Sequence, residues 1–201
     1  MSAQSHLFPV SLQTQWKKAS DYSSYGSLHE RLLDWLLDPS SLTARLKTHC
    51  DEFRVEVLGQ QIIQCSETEA NEDILAGEDV LVREVLLFCD NKPQVFARSL
   101  LPLKSLTGDE KKLAELGSQS LGQVLFNHPS LIRKRIEISL FLPSSSLSLL
   151  VNALNLSSTQ SLWGRRSVFV LKNKPIMVAE VFLPDSIAYA IPQHFISPIN
   201  Q

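Results

Sequence analysis

Residues 162–184 read LWGRRSVFVLKNKPIMVAEVFLP. Two apolar, β-branched runs flank Lys172–Asn173–Lys174, the pattern of two strands joined by a tight turn. The second run, 176–183, is apolar except for Glu180. A carboxylate in such a strand is costly to bury unless it is neutralised or partnered. The chain must therefore supply a donor. The best candidate lies in another strand of the same character, VLVREVLLF over 80–88, which carries Arg83.

The 201 residues are 44% hydrophobic and 20% charged, ordinary for a globular protein. Such a length predicts one domain with embellishments, or at most two small ones, and it suffices to bury a core. The formal net charge is −2, so no global basic field invites nucleic acid. The small basic clusters at 133–135 and 165–166 are expected to pair with nearby acids. Cys50, Cys65 and Cys89 are odd in number and lack CxxC spacing. That argues against a disulfide framework and a structural zinc site and predicts free thiols in a reducing compartment. Residues 1–18 show no basic stretch leading into an apolar run. No apolar stretch reaches the ~18 residues that span a bilayer. The expectation is a cytoplasmic protein without an integral membrane segment.

Along the chain, 1–27 is rich in Ser and Gln and predicts a flexible arm. Leu28, Leu32, Trp35 and Leu36 predict a helix over 28–37, capped by Ser27 and ended by Asp38–Pro39. Ser40 or Ser41 caps a second over 42–49. A strand over 53–65, bent at Gly59, precedes 66–79, whose six acids predict a solvated loop. Runs 80–88 and 94–103 form a hairpin. Thr107 and Glu110 have capping-box spacing for a helix over 107–116 that Gly117 stops. Ser120 opens a short helix over 121–126. Residues 131–142 alternate as a half-exposed strand, 143–161 interrupt with a helical turn, and a tail begins at 185. Strands arranged in hairpins predict an α+β fold: a single antiparallel sheet with helices on one side.

There is no glycine-rich phosphate loop, no GxSxG and no histidine pair at metal-ligand spacing. The sequence therefore predicts no cofactor, no metal and no activated nucleophile. What remains is Arg83, Arg98 and Glu180 inside apolar strands. Alternation puts Arg83 on the face of Leu81, Val85 and Leu87, and Glu180 on that of Ile176, Val178 and Phe182. One interpretation is a cross-strand ion pair or a solvated face. The other is a closed pocket in which Arg83 forks a small carboxylate and Glu180 accepts a hydroxyl from the ligand's far end. Residue physics alone leaves both open. Trp163 is expected in the core, with Gly164 permitting a close approach or bulge.

Four segments, LLDWLLDPSSLTARL (32–46), LVREVLLFCDNKPQVFARSLLP (81–102), LGQVLF (121–126) and 162–184, resemble chorismate pyruvate-lyase, or 4-hydroxybenzoate synthase, in order across about 28–184. That resemblance implies helical flaps closing over an internal pocket, and a cofactor-free conversion of chorismate to 4-hydroxybenzoate and pyruvate for quinone biosynthesis. It implies Arg83 and Glu180 as catalytic residues. Arg83 would meet the ring carboxylate, helped by backbone N–H groups at Leu42 and Leu121, and Glu180 the 4-hydroxyl. Leu42 stands where the family often has Met, a change that a backbone contact tolerates. Arg98 matches a further family arginine and would hold the enolpyruvyl carboxylate. Family analogy also implies a monomer. The arm, an insertion at 143–161 and a tail at 185–201 depart from the pattern. The alternative is a non-catalytic module sensing an aromatic acid, because ligand-sensing domains of bacterial transcription regulators share the fold. Against it, the chain has no helix-turn-helix and no basic reading surface.

Overall fold

The computed structural model describes residues 7–21, 28–157 and 159–190. Among these residues seven strands form one sheet: β1 (Lys17–Lys18), β2 (Phe53–Gln64), β3 (Asp79–Cys89), β4 (Lys92–Pro102), β5 (Leu131–Phe141), β6 (Leu162–Leu171) and β7 (Lys174–Phe182). Their order is β1-β5-β6-β7-β4-β3-β2, and every pair is antiparallel. Two turns set this order. Asp90 and Asn91 have φ of 48° and 61°, and Lys172 and Asn173 have 49° and 65°. Positive φ at both central residues gives the mirrored turn whose twist matches the strands it joins.

Three of the four α-helices among the described residues cover one face, as the sequence predicts. They are α1 (Glu30–Leu37), α2 (Leu42–Lys47) and α3 (Leu121–Phe126). Leu32, Trp35 and Leu36 of α1 and Leu42 and Leu46 of α2 pack on Val85, Leu87, Val95, Ala97 and Phe182. Leu121 and Leu125 of α3 pack with Leu113 on Leu81, Leu101, Phe169 and Ile176. Ser41 and Ser120 cap α2 and α3, each accepting the amide of the third residue on at 3.3 Å. At α1 the cap is His29, whose ring accepts from the Arg31 amide. Ser27 lies outside the described residues.

The fourth helix, α4 (Leu147–Ala153), covers the opposite face. It shares a cluster there with Leu86, Phe96 and Val181, and with Val10 and Leu12 from the segment expected to be a flexible arm. This segment thus supplies Val10 and Leu12 to the core. Val10 donates its amide to both oxygens of Glu84 at 2.9 and 3.0 Å, and Lys17 and Lys18 pair with Ile138 and Glu137 on the sheet edge.

Three further expectations need correction. The acidic stretch 66–79 is anchored, with Ile74 fully buried and Glu69 paired to Arg98. The capping box at Thr107 does not form. Residues 108–114 make a 3₁₀ helix without a side-chain cap, because Glu110 is taken by Lys172 and Lys174. The tail docks as far as 190: Ala188 is buried, and the Tyr189 hydroxyl accepts from the Trp163 amide at 2.8 Å. The tail beyond 190 lies outside the described residues. Gly164 does mark a close approach, since a Cβ there would sit 3.1 Å from the Glu180 carbonyl and 3.0 Å from Phe141.

Candidate active site

Residues opposite one another in antiparallel strands share a face. On the face under α1 to α3, Arg83, Ser99, Val178 and Ser167 form one rank across β3, β4, β7 and β6. Val85, Ala97, Glu180 and Arg165 form the next. Arg83 and Glu180 are two strands and one rank apart, which places their Cα atoms about 12 Å from each other. Two apolar clusters flank this polar patch, one under α1 and α2, the other under α3.

Arg83 is 3% exposed. Its Nη2 donates to the carbonyls of Gly117 and Gln119 at 2.8 and 3.1 Å. No acid lies within ion-pair distance of it among the described residues. Burial lowers its pKa below the ordinary arginine value, because the charged form loses hydration without gaining a counter-charge. A buried guanidinium of this kind favours an incoming anion.

The donor that meets Glu180 is Arg165, not Arg83. Arg165 stands directly opposite in β6, and its Nε reaches Glu180 Oε2 at 2.6 Å. Arg165 is fully buried, while 14% of the Glu180 side chain is exposed. Arg165 Nη1 also donates to the carbonyls of Trp35 and Asp38, holding the end of α1 over the sheet. Arg133 adds a bond to the Asp38 carbonyl at 2.9 Å. Burial, helped by repulsion from Arg165, pushes the Arg133 pKa down to about 10.

Arg98 is not in this patch. It faces the other side of the sheet, where Glu69 and Glu84 hold it. The cause is an irregularity in the β3–β4 pairing between Leu87 and Phe88. Counted evenly from the turn, Arg98 would stand opposite Arg83. The shift puts Ser99 there and sends Arg98 through the sheet, since a one-residue slip reverses every later side chain.

Leu42 and Leu121, the two expected backbone contacts, are the first residues of α2 and α3, and both are buried. Amides of a first helical turn have no carbonyl partner inside the helix. The two helix starts are brought together by a 2.6 Å hydrogen bond between Thr43 Oγ1 and Ser120 Oγ. The carbonyl of Gln119, one residue before Ser120, is held by Arg83. Arg83, Leu42 and Leu121 therefore converge, and Glu180 lies one rank further on. A groove of about 490 Å³, lined by Lys47, Phe53–Val55 and Ser118–Ser120, opens beside this flap. Arg165 and Ser167 were missed in the sequence. Both belong to the GRRS run, where residues two apart share a face.

The chorismate lyase family model matches residues 11–190. The chain belongs to the chorismate lyase family. The matched span takes in most of the N-terminal segment and the docked part of the tail. Among similar proteins, a probable chorismate pyruvate-lyase of Psychromonas ingrahamii is 46% identical over 183 residues, 91% of this chain and 97% of that protein. One of Pseudoalteromonas translucida is 45% identical over 185 residues, 90% of this chain and 98% of that protein. Among solved structures, PhnF from Mycobacterium smegmatis aligns with a TM-score of 0.57 at 13% identity, covering 90% of this chain and 92% of that one. At that identity the likeness shows the fold, a single antiparallel α+β sheet, and nothing further. No helix among the described residues of this family member is long and apolar enough to cross a membrane.

Proposed function

We propose that this chorismate lyase family member is a chorismate pyruvate-lyase, releasing pyruvate from chorismate to leave 4-hydroxybenzoate for quinone biosynthesis. The observation that carries this is Arg83: a buried guanidinium with no acid partner among the described residues, two strands and one rank from a carboxylate that Arg165 holds in place. The names of the similar proteins from Psychromonas and Pseudoalteromonas agree with it.

In this proposal Arg83 forks the ring carboxylate, and the amides of Leu42 and Leu121 complete its coordination. Glu180 accepts the hydrogen bond of the 4-hydroxyl. The substrate carries its own leaving group and its own driving force, because losing the enolpyruvyl ether and a ring proton makes the ring aromatic. The protein has to bind, orient and exclude water. The apolar clusters under α1 to α3 suit that task.

The test is to mix purified protein with chorismate and follow 4-hydroxybenzoate and pyruvate by chromatography. Equal amounts of both, abolished in Glu180→Gln, are expected. No product, but thermal stabilisation by 4-hydroxybenzoate, would replace the lyase with a binding module. A pocket closed by flaps should also release product slowly. A burst in pre-steady-state kinetics is the expected sign, and a linear course from the first turnover would count against it.

A further inference from the structure

The Arg165 guanidinium has one nitrogen left over. Nε is taken by Glu180, and Nη1 by the carbonyls of Trp35 and Asp38. Nη2 is buried and has no hydrogen-bond partner among the described residues. A buried donor left in this way is rare in folded proteins and calls for an explanation. Nε and Nη2 form one edge of the planar fork, so Nη2 lies on the side of Glu180. One rank along on the same strand face, Ser167 Oγ is also buried without a partner among the described residues. Two donors without partners among the described residues therefore share this face, one rank apart, with Arg165 opposite the carboxylate.

We infer that Arg165 is a substrate-binding residue, with Nη2 donating to the oxygens of the leaving three-carbon group and Ser167 Oγ beside it. This rests on the lyase proposal. If Glu180 holds the hydroxyl on C4, the enolpyruvyl ether on the adjacent C3 lies next to Glu180, where Nη2 is. Arg98, expected to fill this role, faces away and is saturated by Glu69 and Glu84. In the reaction the C3–O bond breaks and its electron pair goes to the ether oxygen. C4 loses its proton, and the methylene carbon of the departing enolpyruvate gains one to give pyruvate. Negative charge grows on the oxygen during the step. A preorganised guanidinium N–H therefore binds the transition state more tightly than the ground state.

Arg165→Lys tests this, because it keeps a counter-charge for Glu180 but loses the second direction of the fork. The expected result is a kcat lower by about 100-fold or more, with 4-hydroxybenzoate affinity by calorimetry within about fivefold of wild type, because the product lacks the three-carbon group. A near-wild-type kcat would overturn the assignment. So would parallel loss of kcat and product affinity, which would mark Arg165 as only positioning Glu180 and α1. If the variant does not fold, the wild type decides. It should bind 3-(carboxymethoxy)-4-hydroxybenzoate at least about tenfold more tightly than 4-hydroxybenzoate through the added carboxylate, and equal or weaker binding sinks the idea. Wild-type protein that makes no product from chorismate would refute the lyase proposal instead, and the comparison of the two acids would still decide on Arg165.

Discussion

Arg165 and Glu180 face one another across the β6–β7 pair at 2.6 Å, and the arginine is completely buried. Removing either partner strands the other away from water. Glu180→Ala is therefore expected to lose about 3–5 kcal/mol of folding stability as well as turnover. Glu180→Gln keeps the volume and an oxygen for Arg165 Nε, so its stability should stay within about 2 kcal/mol of wild type while turnover is lost. Denaturant unfolding beside a chorismate assay checks both. Equal stability loss in the two variants would show that the charge, not the shape, holds the strand.

Arg83 behaves in the opposite way. It has no acid partner among the described residues, and burial already disfavours its charge. Arg83→Met removes that penalty but leaves two carbonyls, of Gly117 and Gln119, short of a donor. The net cost should be no more than about 1–3 kcal/mol. Calorimetry should show 4-hydroxybenzoate affinity reduced by about 100-fold, the scale of a lost charge-assisted pair. Unchanged affinity would mean that Arg83 only braces the loop.

Arg98 is a structural centre. Glu84 is fully buried and Glu69 nearly so, and both depend on it. Arg98→Met leaves two carboxylates without their cation, for an expected loss of about 3–5 kcal/mol. Hydrogen exchange should accelerate first in 66–79 and around Val10, the two segments tied down through these acids. Uniform acceleration over the whole sheet would contradict this division.

Glu110 gives a pH dependence with a definite sign. The hydrogen bond from Lys174 Nζ, with help from Lys172, lowers its pKa from 4.5 to about 2. The folded value lies below the unfolded one, so the contribution is complete above 4.5 and disappears as pH falls through about 2. Glu110→Gln should lower Tm at neutral pH, and the gap to wild type should close between those two values. A gap that persists at the acid end would exclude the carboxylate as its source.

Much of this was legible in the residues. The spacing of Leu32, Trp35 and Leu36 gave α1, and the two tight turns gave the hairpins. The partner of Glu180 was also within reach. Counting back evenly from Lys172–Asn173 places Arg165 opposite Glu180, but the 165–166 cluster was expected only to pair with some nearby acid, and Arg83 was matched to Glu180 instead. Arg98 could not be placed this way, because nothing in the composition of 87–95 signals the irregularity that turns it over. Val10 and Leu12 sit in a segment with no helical or strand periodicity, and the anchor of Val10 is a carboxylate 74 residues away. Glu110 had the right spacing to cap a helix and was claimed by lysines from β6–β7, a tertiary competitor that no local pattern reveals.

The strand order divides the sheet into two meanders, β2–β3–β4 and β5–β6–β7, each made of neighbours in sequence. They join along one seam, between β4 and β7. Arg83 belongs to the first meander, and Arg165, Ser167 and Glu180 to the second. Neither half contains the whole candidate site, whose residues come together only when the seam zips. Pairing within each meander is local and fast, whereas the seam has to close a long stretch of chain. A ligand gripped at both ends by Arg83 and Glu180 would lie across the junction as a cross-brace, so that its binding energy resists the separation of the two halves.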